Sequence, residues 1–226
     1  MSTPVSHLRP YAVATAVAAV TLIVGVIASF GIARSLQWST VVSPFSVVLA
    51  FGVATAVGVL TWLVMDMFFS RQKKPTFLGA INGMLCGLVA ITPAAGLVGP
   101  MSALIIGGVA AVPSYFGLRW RARTSLDDSL DVVAAHGLGG TVGALLTGVF
   151  AQEAMSGVAG ANGLLFGNPG QLATQAIAVA SAAAYSGVVS FILFKLIDTV
   201  MGLRVSEEEE REGLDTATHG ERAYNL

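Results

Sequence analysis

Residues 127 to 151, DDSLDVVAAHGLGGTVGALLTGVFA, set three carboxylates and one imidazole against a run of glycines and apolar side chains. A neutral imidazole offers one hydrogen-bond donor and one acceptor, so His136 suits a path on which a small polar solute passes or shares a proton. The same ring serves equally well as a hydrogen-bonded tie between helices, because ionisable groups inside a membrane do either. His7 and His219 sit near the two polar ends of the chain. Asp127, Asp128 and Asp131 come just before the histidine. Aspartate at a helix start caps free N–H groups and complements the positive end of the helix dipole, which is the simpler role for all three. Asp131 lies deepest and is the one best placed to do more. It precedes His136 by five positions, so the two need not share a face.

The elements that carry these groups are set by composition. Of 226 residues, 54% are hydrophobic and 11% charged, against roughly 25% charged in a soluble domain. The chain is expected to be an all-α integral membrane protein, a polytopic helix bundle. A net charge of −1, with the acidic residues bunched near the C-terminus, offers no basic face for nucleic acid. The single cysteine, Cys86, lies in an apolar stretch as a packing residue, so neither a disulfide framework nor a multi-cysteine metal site is expected. There is no nucleophile–base pair. The reading is therefore of a protein that is not an enzyme and takes no cofactor.

A spanning helix needs about 20 mostly apolar residues. Six such runs occur, approximately Tyr11–Ala33, Val41–Met65, Phe77–Ile91, Met101–Leu118, Leu130–Phe150 and Leu172–Leu196. The first is too long for a signal-peptide core and is read as a retained helix. The third is short and leads into TPAAGLVGP, which enters a membrane as irregular backbone only if protein buries it or it lines a cavity. Arg9, then Arg71, Lys73 and Lys74, then Arg119, Arg121 and Arg123, then Arg204 fall on one side of these spans, and only Arg34 on the other. The positive-inside rule puts both termini in the cytoplasm of a cell-membrane protein, with residues 34–40, 92–100 and 151–171 outside. The domains read as an N-terminal stretch 1–10, a membrane domain 11–200 and a cytoplasmic tail 201–226.

Small residues repeat at helix-packing intervals. Gly79, Gly83 and Gly87 share one helical face, as do Gly139 and Gly143, and bundle packing is the favoured reading. GLGGTVG has the look of a dinucleotide-binding loop, but it sits within a span and not between a strand and a helix, which excludes that reading.

The segment DDSLDVVAAHGLGGTVGALLTGVFA resembles a signature of the ammonium transporter (Amt/Mep/Rh) family. So do KKPTFLGAINGMLCGLVAITPAAGLVGPMSALIIG and the tail GLRVSEEEEREGLDTATHGERAYN, in order, over roughly residues 50 to 226. The resemblance implies a fold of eleven helices in two inverted halves, of which these six spans are the last six, and a trimer with a narrow hydrophobic pore in each subunit. It implies that His136 is the second of two pore histidines, that Val132 lines the pore, that Thr92 lies near the outer recruitment site and that Asp131 is a structural carboxylate. It also implies that the tail segment with Gly213, Leu214, Asp215 and Tyr224 engages a PII-type signalling protein. The other pore histidine, the recruitment aspartate and one gating phenylalanine belong to the family's first five helices and have no counterpart here. The family's FGFNAGS corresponds to FGIARSL, residues 30–36, with Ile32 in place of a gating phenylalanine and Arg34 in the small polar stretch.

Two functions follow from the resemblance. In one, the chain is half of an ammonium pore, completed by a partner half in a homo- or hetero-oligomer within membrane lipid. In the other, it is a non-transporting membrane protein that binds a regulator through its tail, or an inactive truncated product.

Overall fold

A computed structural model describes residues 44–128, 130–200, 202–203 and 205–221. The expected span Tyr11–Ala33, Ile32, Arg34 and Tyr224 lie outside the described residues. Every regular element among the described residues is helical. Among the described residues four helices are long and apolar enough to cross a membrane, namely 45–69, 100–121, 133–150 and 170–200, and a shorter apolar helix covers Phe77–Ile91. The chain is thus an all-α, multi-pass membrane protein. The described residues fall into two compact units, divided between Val179 and Ala180.

In the first unit, α1 (Pro44–Phe69) is followed by α2 (Phe77–Ile91) and α3 (Pro100–Arg121). Each start has a local cause. The Thr76 hydroxyl accepts from the Gly79 N–H at 2.9 Å, capping α2. Pro100 opens α3, where a missing N–H costs nothing. Arg119 and Arg121 end α3, where cations suit the negative end of the dipole.

At 15 residues, α2 rises only about 22 Å, short of a hydrocarbon core of about 30 Å. The turns of residues 92–99 extend it, and they meet the condition set by the sequence. Ala94 and Val98 are buried in the main core, and the Leu97 carbonyl accepts from the Gln152 N–H at 2.8 Å.

The core is built from small side chains. Ala50, Val53 and Ala54 of α1 meet Ala90 and Ile91 of α2 and Ala103, Ile106 and Ala110 of α3. Between membrane helices close backbone approach takes the place of hydrophobic drive, which favours glycine and alanine. Gly83 shows how tight this is, because a Cβ there would lie 2.7 Å from the Gly58 carbonyl oxygen. A second cluster joins Trp62, Cys86, Ala111, Tyr115 and Ala135, with the Trp62 and Tyr115 rings edge to face at 5.2 Å.

The fifth run departs from a plain helix. Asp131 takes a left-handed φ of 55°, then Val133–Leu138 forms a π-helical turn, and α4 (Gly139–Phe150) continues as ordinary helix. A short helix α5 (Glu153–Ser156) and the start of α6 (Gly170–Val200) complete this unit.

In the second unit the remainder of α6 carries exposed Val188, Phe191, Ile192 and Phe194. The tail folds into α7 (Glu207–Glu212) and α8 (Leu214–His219). Composition alone marks the tail as solvated. Its helices come from a capping box, in which Ser206 accepts from the Glu209 N–H and the Glu209 carboxylate takes the Ser206 N–H at 2.9 Å. Gly213, at φ 101°, breaks the two helices apart.

Candidate functional site

The segment from Asp128 to Thr147 carries the site. Its anchors are polar and precede the apolar part. The Asp128 carboxylate accepts from Val132 N–H at 2.9 Å through Oδ1 and from Val133 N–H at 2.8 Å through Oδ2. These contacts satisfy two of the N–H groups that a helix start leaves unpaired. They also hold the Asp128 carboxyl below its ordinary range, the Val133 N–H contributing most. Asp131 instead pairs with the Arg121 guanidinium at the end of α3. Of the three aspartates, Asp128 makes the capping contacts, while Asp131 ties the segment to α3.

Beyond these anchors the segment presents two sides. Ala134, Ala135, Gly139, Gly143 and Thr147 are buried. Gly139 faces Ser114 and Cys86, and a Cβ on Gly143 would collide with the Ala90 carbonyl, so this side is seated on α2 and α3. The other side is open. Val132, Val133 and His136 are exposed, with Val132 at 45%. The structure therefore places Val132 and His136 on the uncovered part of one segment. Thr92 stands apart at the end of α2, exposed, with its hydroxyl donating to the Leu88 carbonyl at 2.8 Å.

Chemically, the open side offers one imidazole among aliphatic side chains. That suits a small polar solute. Among the described residues no cluster of His, Cys, Asp and Glu is arranged to hold a metal.

In the tail, Gly213 is the hinge between α7 and α8. Its carbonyl accepts from the Ala217 N–H at 2.9 Å, and the Asp215 carbonyl accepts from the Glu221 N–H at 3.1 Å. Leu214 is exposed at 46%.

Sequence reasoning missed a second polar centre at the basic-loop end of the bundle. Asp66 of α1 is 6% exposed, and its Oδ2 accepts from Thr76 N–H at 3.2 Å and Thr76 Oγ1 at 2.8 Å. Beside it Arg119 donates to the Tyr115 hydroxyl at 3.2 Å, and a cavity of about 220 Å³ opens between Asp66, Ser70, Asn82, Tyr115 and Arg119. The only signal in the sequence is a carboxylate one residue beyond a long apolar run, which ends the span in the count and so drops out of it. The role of Arg121 is hidden in the same way among the basic residues of its loop.

Comparison with known proteins gives this arrangement its context. A sequence model of the Ammonium Transporter Family matches residues 27–224. The ammonium transporter Amt1 of Archaeoglobus fulgidus is 45% identical over 163 residues, which are 72% of this chain and 40% of that protein. An ammonium transporter of Aquifex aeolicus is 44% identical over 168 residues, 74% of this chain and 38% of that protein. The crystal structure of Saccharomyces cerevisiae Mep2 superposes with a TM-score of 0.67 at 32% identity, covering 73% of this chain and 38% of Mep2. The chain thus spans about two fifths of the length of the relatives it matches. With most of its length matched by the family's sequence model and its helices arranged as in Mep2, the chain belongs to the Ammonium Transporter Family.

Proposed function

We propose that this chain forms part of a path for ammonium across the membrane, with His136 and Val132 on the wall of that path and Thr92 near its outer mouth. The observation that carries the reading is the exposure of His136 while Ala134 and Ala135, its immediate predecessors, are buried. An imidazole that served only to tie α4 to its neighbours would lie on the side seated against α2 and α3. The names of the relatives support the solute.

Because the match covers about two fifths of those relatives, the rest of the path is supplied by helices of the kind they carry outside the matched region. The assembly is an oligomer, trimeric by analogy with the family. Arg71, Lys73, Lys74 and the arginines near residue 120 face the cytoplasm, together with the tail. In the tail, Gly213, Leu214, Asp215 and Tyr224 form the contact for a PII-type regulator, to which the break at Gly213 offers the exposed Leu214.

The test is His136→Ala in a transporting assembly reconstituted in liposomes under an ammonium gradient, with an internal pH dye. Loss or uncoupling of the ammonium-dependent signal is expected. Unchanged, coupled transport returns His136 to a structural role.

A further inference from the structure

On an uninterrupted helix, at roughly 100° per residue, His136 would point within about 20° of both Gly143 and Thr147. Those two residues are buried on the side seated against α2 and α3, so plain helical geometry aims the imidazole into packed protein. By the same count Ala134 would point well away from that side, yet it is 2% exposed. The observed pattern requires one extra residue in the turn. The π turn Val133–Leu138 supplies it, because closing on the fifth residue rotates everything before it by roughly 100° relative to α4. Ala134 and Ala135 then fall on the packed side and His136 on the open one.

An extra residue persists only if both ends of the segment are held. On the C-terminal side the close approach of Gly143 to the Ala90 backbone fixes α4. On the N-terminal side the Asp128 carboxylate holds two consecutive N–H groups, those of Val132 and Val133, one on each oxygen. The Asp131 carbonyl accepts the next bond, from Ala135 N–H at 2.9 Å. We infer that Asp128 is a positioning residue, whose two-oxygen clamp maintains the π turn and thereby turns His136 out of the packed side. This deepens the reading of His136 as a wall of the solute path and rests on it. Released from the clamp, the start of the segment slides by one residue, the turn relaxes to α geometry, and the imidazole rotates toward α2 and α3. The titratable or charged groups on those helices are Cys86, Tyr115, Arg119 and Arg121, with Arg119 engaged by Tyr115 and Arg121 by Asp131.

The test uses the full chain in nanodiscs, with His7→Gln and His219→Gln so that His136 is the one histidine. The readouts are its rate of modification by diethyl pyrocarbonate and its imidazole nitrogen shifts by NMR. Asp128→Ala should slow modification severalfold and move the shifts. Asp128→Asn keeps the volume and one acceptor oxygen, and should fall between. It also serves as the deciding variant if the alanine protein does not fold. Rates and shifts in Asp128→Asn equal to those of the parent would overturn the inference. In a transporting assembly, Asp128→Asn should also change the pH profile of ammonium uptake and not merely its maximum. Intact transport in His136→Ala sinks the path reading alone, whereas unaltered imidazole chemistry in the Asp128 variant sinks the positioning role alone.

Discussion

Asp131 and Arg121 form an ion pair that joins the left-handed entry of the π turn to the last turn of α3, with side chains only 18% and 22% exposed. The pair bridges ten residues and closes the loop that contains Asp128. A charged hydrogen bond of this kind contributes about 1.5–3 kcal/mol. Asp131→Ala removes it and also places a β-carbon residue without a polar tip at positive φ, where Asn and Asp are better tolerated. Asp131→Ala should therefore lower the thermal midpoint in detergent more than Asp131→Asn. Equal midpoints for the two would show that backbone conformation at this position contributes nothing.

Gly143 should tolerate no side chain. A Cβ there meets the Ala90 carbonyl and its neighbouring backbone atoms, which no rotamer change relieves. Overpacking of this sort costs about 1–3 kcal/mol. Gly143→Ala should lower the thermal midpoint, and Gly143→Val should lower it further. Gly137→Ala, with open space around its Cβ position, should be nearly neutral in the same assay.

How much of this was legible in the sequence depends on which force sets each feature. The spans from 44 to 200 follow from apolar length, and α2 matches its expected run, Phe77–Ile91, at both ends. The glycine faces were legible because small-residue spacing is a local property. The π turn was not, because it arises from two distant anchors, the Asp128 clamp and the Gly143–Ala90 approach, that no window of sequence displays together. His136 was visible as chemistry, but its outward direction was not. Asp66 and the pairing of Arg121 were not legible, since the partners, Thr76 and Asp131, lie ten residues away across a turn.

The Asp128 clamp predicts a sign for pH. Its carboxyl titrates below the ordinary value because the Val133 and Val132 N–H groups favour the ionised form. A depressed group contributes stability that is present above the unfolded pKa, about 3.9 for aspartate, and is lost as pH falls through the lower folded value. Amide exchange at Val132 and Val133 should stay slow down to that range and accelerate below it. Acceleration already at pH 5 to 6 would mean that the clamp is not what protects these amides.

Orientation is tested by labelling. Cysteines in place of Lys73 and Arg123, with Cys86→Ala, should react with a membrane-impermeant maleimide only after permeabilisation of cells. Reaction of either in intact cells would reverse the assignment of the cytoplasmic side.

The last prediction concerns Asp66, whose 6% exposure makes it the most deeply buried carboxylate among the described residues. Its Oδ2 binds both the N–H and the hydroxyl of Thr76, and the same hydroxyl caps α2 through Gly79 N–H. The two contacts couple the end of α1 to the start of α2, and Gly79 has no Cβ, which would otherwise collide with that carboxylate oxygen. Asp66→Ala removes the acceptor of both Thr76 contacts, and a hydrogen bond to a charged group contributes about 1.5–3 kcal/mol. Thr76→Ala removes the cap and leaves the carboxylate short of one donor, whereas Thr76→Ser keeps both contacts. The thermal midpoint should therefore fall clearly for Asp66→Ala and Thr76→Ala and little for Thr76→Ser. Because the pair is one network, the double variant Asp66→Ala/Thr76→Ala should cost less than the sum of the two single ones. Strict additivity would show that the carboxylate and the cap act independently, and that the turn between α1 and α2 is held by something other than this pair.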